Sequence, residues 1–96
     1  SMAMSVADIA ASLKDRVAEG SFDSVVKFDC GEDGVLVIDN QSVSTENQDA
    51  DCTIGVSLED LQSMIAGELD PTGAFMQGKL KVDGDMSVAM KLGQVL

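Results

Sequence analysis

Histidine, tryptophan and tyrosine are all missing from this 96-residue chain. Without histidine there is no imidazole base at neutral pH, no Ser–His or Cys–His pair, and none of the commonest metal ligand. Large side chains to fill a core are scarce, since the aromatic complement is 3 phenylalanines. Cations are scarce too: 6 basic residues stand against 17 acidic ones, a net charge of −11. So few lysines and arginines cannot replace the counterions around phosphates, which argues against nucleic acid as a partner. Charge alone does not draw the chain to an anionic membrane, so membrane contact is expected to be at most transient. The acids serve instead to keep a small protein soluble.

Long apolar runs are absent as well. Stretches such as Val35 to Ile38 fall far short of the roughly 20 residues of a membrane span. The N-terminus lacks the basic and then apolar stretch of a secretory signal. Two cysteines, Cys30 and Cys52, are too few for a disulfide framework and lack partners for a zinc site. They read as buried free thiols, which implies a reducing compartment and a cytoplasmic location.

What is present fits one domain with one core, expected over residues 5–96. Residues 1–4 form an N-terminal segment in which Ser1, standing before Met2, reads as a remnant of cloning. Val6, Ile9, Ala10, Leu13 and Val17 recur at helical spacing, with Ser5 and Asp8 as a capping box and Gly20 as a stop. Phe22, Val26, Phe28 and Cys30 alternate along a strand over 22–30, and "GEDG" turns into "VLVID", apolar on both faces and therefore interior to a sheet. A weak strand follows at 42–46, then the polar loop "NQDAD", then alternating Cys52, Ile54 and Val56.

Ser57 and Asp60 form a second capping box for a helix carrying Leu58, Leu61, Met64 and Ile65. Asp70-Pro71 starts a short helix, "KLKVD" gives a fifth strand with Leu80 and Val82 on one face, and a last helix is expected from Asp85 to Leu96. The four hairpin-spaced strands predict an antiparallel meander, joined by the fifth. The fold class is α+β, a mainly antiparallel five-stranded sheet with helices on one face.

No G-x-S-x-G, G-x-G-x-x-G or P-loop pattern occurs. "DGD" at 83–85 and "DAD" at 49–51 lack the glycine and distal glutamate of a calcium loop and read as turns. No catalysis, metal or cofactor is expected. The last helix is unusual, with Met86, Val88, Ala89, Met90, Leu92, Val95 and Leu96 leaving only a narrow polar stripe. A helix covering a sheet needs an apolar arc of only about 100° or somewhat more. Deep packing or dimerisation would account for the excess, and so would one side packing on protein while the other lines a cavity. Methionine suits such a lining because its flexible thioether adapts to differently shaped guests.

The segment "AFMQGKLKVDGDMSVAMKLGQVL" resembles the C-terminal signature of the sterol carrier protein type 2 domain family. Those domains carry a proline-led short helix, an aromatic pair or Phe-Met, "QGKLK", a glycine before the last helix, and "AMKL". "ADCTI" at 50–54 also matches, and the order of elements fits from Ser5 to Leu96. The resemblance implies a hydrophobic tunnel between sheet and helices, holding fatty acids, fatty acyl-CoA, sterols or phospholipids without covalent chemistry. Phe75, Met76, Met86, Ala89 and Met90 are expected to line it from the helices, and Leu36, Ile54, Leu80 and Val82 from the sheet. Many relatives continue past the last helix, so closure of the tunnel is expected to differ here. The final "QVL" is not a peroxisomal S-K-L signal, in keeping with a cytoplasmic address. The alternative is an interaction module that docks through its apolar C-terminal helix on a partner enzyme.

Overall fold

Short polar residues set the start of every α-helix. The computed structural model describes residues 4–96, apart from the side chain of Gln94, and its first helix, α1, covers Val6–Glu19. Ser5 caps α1 by accepting from the Asp8 N–H at 3.1 Å, while the Asp8 carboxylate accepts from the Ser5 N–H at 3.2 Å. The Ser57 hydroxyl accepts from the Asp60 N–H at 3.0 Å to begin α2, Leu58–Ile65. Asp70 accepts from the Gly73 N–H at 2.9 Å to begin α3, Pro71–Met76, with proline at the first position where no N–H is needed. Asp85 does the same for α4, Met86–Met90. Of the N-terminal segment, residues 1–3 lie outside the described residues, and the Met4 N–H is held by the Gln62 side-chain oxygen of α2 at 3.2 Å.

The strands are β1 (Val25–Asp29), β2 (Val35–Asp39), β3 (Ser42–Ser44), β4 (Cys52–Gly55) and β5 (Lys81–Gly84), in the sheet order β3-β2-β1-β4-β5. Each hydrogen-bonded span is shorter than its apolar alternation, yet Phe22 and Cys30 flank β1 and are buried on the same side as Val26 and Phe28. The four-strand meander is not what forms. β4 pairs in parallel with β1, with Val26 opposite Cys52 and Phe28 opposite Ile54, so the sheet is mixed although its other pairings are antiparallel.

The reason lies in residues 45–51, too long and too polar for a hairpin. This segment runs back across the outer face of the sheet, where the Lys27 ammonium donates to Asn47 Oδ1 and to the Gln48 carbonyl, both at 2.9 Å. Val37, next to Lys27 in register, is buried although it stands apart from the main core. The loop is therefore what covers the second apolar face of "VLVID". Having crossed, the chain meets the free edge of β1 running in the same direction as β1.

The main core lies between the other face of the sheet and the helices, with Ile9, Leu13 and Val17 of α1 packed toward Phe28, Leu36 and Ile38. At the C-terminus the expected single helix divides, α4 giving way to a 3₁₀ turn at Lys91–Gln94. Tighter winding brings residues three apart into line, and Leu92 and Val95 are both buried as a result. Gly93 between them has no side chain to favour continuation of the α-helix.

The junction of β5 and α4 is sterically tight. Gly84 has φ +106°, and a Cβ placed there would sit 2.6 Å from the Asp51 carbonyl oxygen. Gly84→Ala should therefore lower stability by more than about 2 kcal/mol, because neither contacting backbone can yield. A Cβ on Gly93 meets nothing within 4 Å. Gly93→Ala should stay within about 0.5 kcal/mol of the parent protein or exceed it. Urea midpoints of the two variants measure the contrast, and similar midpoints would contradict it.

Candidate functional site

Ile54 and Val82 stand opposite each other in the register of β4 and β5, on the face that carries the helices. With Leu80 they form the floor of a groove of about 300 Å³. Its walls are Pro71, Thr72 and Phe75 of α3 and Met86, Ala89 and Met90 of α4, and Leu92 closes one end. The lining is aliphatic, aromatic and thioether throughout, with Thr72 as its one hydroxyl. Its size sits at the lower end of the ~300–1,000 Å³ of ordinary small-molecule sites.

The groove exists because its two walls are short helices with few anchors. In α3 only Ala74 is fully buried, and in α4 only Val88. The large apolar side chains that remain on these two helices stay outside the core. Among the described residues the large apolar side chains left exposed are Phe75 (47%), Met76 (81%), Met86 (48%) and Met90 (82%). Three of these four line the groove, so the excess apolar surface of the last helix faces this space rather than the interior.

Of the nine residues expected at the cavity, the groove brings together Phe75, Met86, Ala89, Met90, Ile54, Leu80 and Val82. Met76 and Leu36 lie elsewhere. Met76 follows Phe75 directly, and adjacent helical residues point about 100° apart. Leu36 is buried on β2, which β1 separates from β4. Pro71, Thr72 and Leu92 line the groove without having been expected there. Helical spacing held the signal, since Pro71 and Thr72 precede Phe75 by four and three residues and Leu92 follows Ala89 by three.

A second, larger cleft of about 540 Å³ opens on the other side of Pro71, lined by Met64, Ile65, Leu69 and Leu96 but also by Arg16, Glu68 and Asp70. Its charged rim makes it the poorer match for an apolar guest.

Several ionisable groups on the elements that build the groove have structural partners. Asp85 Oδ1 accepts from the Ser87 hydroxyl at 2.6 Å and the Ser87 N–H at 2.9 Å, which hold its carboxyl below the ordinary aspartate range. Asp51 Oδ2 accepts from the Val25 N–H at 2.9 Å, tying β4 to β1. Lys91 reaches Asp23 Oδ1 at 3.2 Å and pulls that carboxyl down, although an exposed pair contributes little stability. Burial pushes the Cys30 thiol up to about 11, with Asp33 and Asp29 adding to the effect. The Cys52 thiol is raised first by burial and then by Asp85, Asp83 and Asp51. Both thiols are free and buried, hence protonated and unreactive at neutral pH. No helix among the described residues is long and apolar enough to cross a membrane.

This frame is shared with known proteins. A model of the SCP-2 sterol transfer family matches residues 6–96, and the chain belongs to that family. The crystal structure of sterol carrier protein 2 like 2 from Aedes aegypti superposes with a TM-score of 0.77 at 28% identity, covering 97% of each chain. A solution structure of the palmitated form of that mosquito protein gives 0.75, again at 28% identity, over 96% of this chain and 94% of that one. Rabbit (Oryctolagus cuniculus) sterol carrier protein 2 is 37% identical over 67 residues, which are 65% of this chain and 12% of the rabbit protein. Bovine (Bos taurus) hydroxysteroid dehydrogenase-like protein 2 is 34% identical over 93 residues, 88% of this chain and 22% of that protein. The chain thus spans about an eighth of the length of the first curated relatives it matches.

The cap of α4 carries a pH signature. A carboxyl held below its ordinary value stabilises the fold above that value and loses its effect as pH falls through it. The Asp85 cap should therefore be intact at neutral pH and weaken below pH 3.8. The Ser87 amide resonance should titrate with a midpoint under 3.8, and Asp85→Asn, whose amide oxygen caps at any pH, should abolish that titration. A midpoint at or above 3.8 would contradict the cap geometry.

Proposed function

We propose that the protein is a non-catalytic lipid carrier of the cytoplasm that takes the acyl chain or ring system of a lipid into the groove between α3, α4 and the β4–β5 edge. The observation that carries this reading is the set of large apolar side chains, Phe75, Met86 and Met90, left open around an apolar floor on a chain of net charge −11. Such a chain has every means of covering itself with charge, yet it keeps this surface bare. Membership of the sterol transfer family supports the reading, as does the existence of a palmitated form of the mosquito relative.

Burial supplies the driving force. A sixteen-carbon chain leaving water gains on the order of 10 kcal/mol at ~0.8 kcal/mol per methylene. Association and ordering offset several of these, leaving an affinity of roughly micromolar. Fatty acids, fatty acyl-CoA, sterols and phospholipids are all candidate cargo, because an apolar wall separates homologues by only ~1–3 kcal/mol per methylene. Among the described residues no buried side-chain nitrogen or oxygen lacks a hydrogen bond, so nothing polar in the interior waits for a headgroup. Thr72, the one hydroxyl of the lining, is exposed. The protonated thiols offer no nucleophile, in keeping with carriage without covalent chemistry.

The second reading is an interaction module that docks through α4 on a partner enzyme, since the chain matches only a fraction of longer relatives. One set of experiments separates the two. Native mass spectrometry of the purified protein should find co-purified lipid. Met90→Trp should fill the groove and weaken displacement of a fluorescent fatty acid about tenfold or more, while the urea midpoint stays close to that of the parent because Met90 is 82% exposed. Full binding retained in Met90→Trp, together with a ligand-free parent protein, would favour the docking module.

A further inference from the structure

β5 stands at one end of the sheet order, with β4 as its single neighbour. The ladder fixes which of its backbone groups are left over. The Val56 N–H donates to the Asp29 carbonyl of β1 at 3.1 Å, and the Asp85 N–H donates to the Asp51 carbonyl at 2.9 Å. Even-numbered residues of β4 therefore bond toward β1, and odd-numbered ones toward β5, where Thr53 and Gly55 stand opposite Asp83 and Lys81. Val82, between those two, turns its N–H and its carbonyl to the open edge. Its side chain lies on the helical face as part of the groove floor, while Lys81 and Asp83 are exposed on the outer face.

An open edge invites pairing with another strand, and lysines placed on it discourage that pairing. Here the lysines come with matching acids. The segment "KLKVDGD", residues 79–85, inverts its charges about Val82. Laid antiparallel on a second copy with Val82 opposite Val82, it sets Lys81 opposite Asp83 and, just beyond the strand, Lys79 opposite Asp85. The two valines exchange both N–H···O=C bonds. Lys81 and Asp83 fall at the non-hydrogen-bonded positions, where facing side chains come closest. A slip of two residues in either direction sets Lys81 against Lys81 or Asp83 against Asp83, so one register is singled out. Among the described residues the ion pair within the chain is Lys91 with Asp23, so Lys79, Lys81 and Asp83 give up no internal pair. The opposite edge, β3, offers Ser42, Val43 and Ser44 and no such complement.

We propose that β5 is a self-pairing edge, joining two copies of the chain about a two-fold axis at Val82 into one continuous sheet. The occupant is a second copy rather than an unrelated strand because the charge order complements itself, as a two-fold interface requires. The acidic bodies oppose association, but charges farther apart than about 8 Å are screened at physiological salt. The strip 79–85 is itself neutral, with two lysines against two aspartates. So short a ladder makes a weak, exchanging dimer. Pairing brings the Val82 side chains of the two copies together on the helical face, and the floors of the two grooves become contiguous. The inference does not depend on what the groove holds.

The test is sedimentation equilibrium of the whole chain at physiological salt, at concentrations up to about 1 mM. The parent protein should show a monomer–dimer equilibrium. Lys81→Asp and Asp83→Lys each set like charges opposite one another, and each should weaken self-association about tenfold or more. Asp83→Lys should do so even though it makes the chain less acidic, which separates register from overall repulsion. Mixed in equal amounts, the two variants regain opposite charges at both positions and should form a heterodimer about as tight as the parent dimer. Val82→Pro removes an outward N–H, a change an edge strand tolerates, and should abolish pairing. Circular dichroism and urea midpoints verify that the variants fold as the parent does. A parent monomeric over the whole range, or a mixture no tighter than its two components alone, would overturn the proposal. So would a dimer that Met90→Glu dissolves and the charge variants leave intact, which would place the contact on α4. Absence of fatty-acid binding in a parent that dimerises counts against the carrier reading and leaves the self-pairing edge standing.

Discussion

Where β5 ends, the chain passes so close to Asp51 that a side chain cannot be accommodated, and Gly84 alone makes the passage. The next residue, Asp85, donates its N–H to the Asp51 carbonyl at 2.9 Å, while Asp51 itself exchanges bonds with Val25 through its N–H and its carboxylate, both at 2.9 Å. One acidic residue thus joins β1, the start of β4 and the start of α4. This junction fixes the angle at which α4 leaves the sheet, and with it the separation of α4 from α3. The groove is the space that this geometry leaves above β4 and β5.

The walls are suited to a varied guest for a related reason. Helices of six and five residues cannot sustain themselves by propensity and depend on tertiary anchors. Here those anchors are Ala74 and Val88, supported by Leu92 and Val95 beyond α4. The floor, by contrast, belongs to a five-stranded sheet with a packed core beneath α1. A floor backed by the packed core and short, methionine-bearing walls with few anchors is the arrangement that the proposed carriage of a chain or a ring would need.

Much of this was legible in the sequence, and the rest fails for definable reasons. Caps and periodicity located the helices because their signals are local: Ser5 with Asp8, Ser57, and Asp70 with Pro71 all act within one turn. Strand order is not local. Nothing in "NQDAD" states that it crosses the sheet, so the parallel pairing of β4 with β1 appears only in three dimensions, and Leu36 of β2 is separated by β1 from the groove over β4 and β5. The excess of apolar residues on the last helix pointed to Met86 and Met90, whereas its division at Lys91 depends on where the core can receive Leu92 and Val95. "DGD" and "DAD" read as turns, and one carboxylate of each holds backbone: Asp85 caps α4 locally through Ser87, while Asp51 clamps the Val25 N–H, a partner distant in sequence.

The most direct measurement of the central claim is a titration of the protein, labelled with ¹³C at the methionine methyl groups, with palmitate. Met86 and Met90 line the groove, Met64 lines the charged cleft beyond Pro71, and Met76 is exposed outside both. Saturable shifts confined to the Met86 and Met90 methyls are the predicted result. Shifts centred on Met64, or no saturable shift at any methionine, would contradict it.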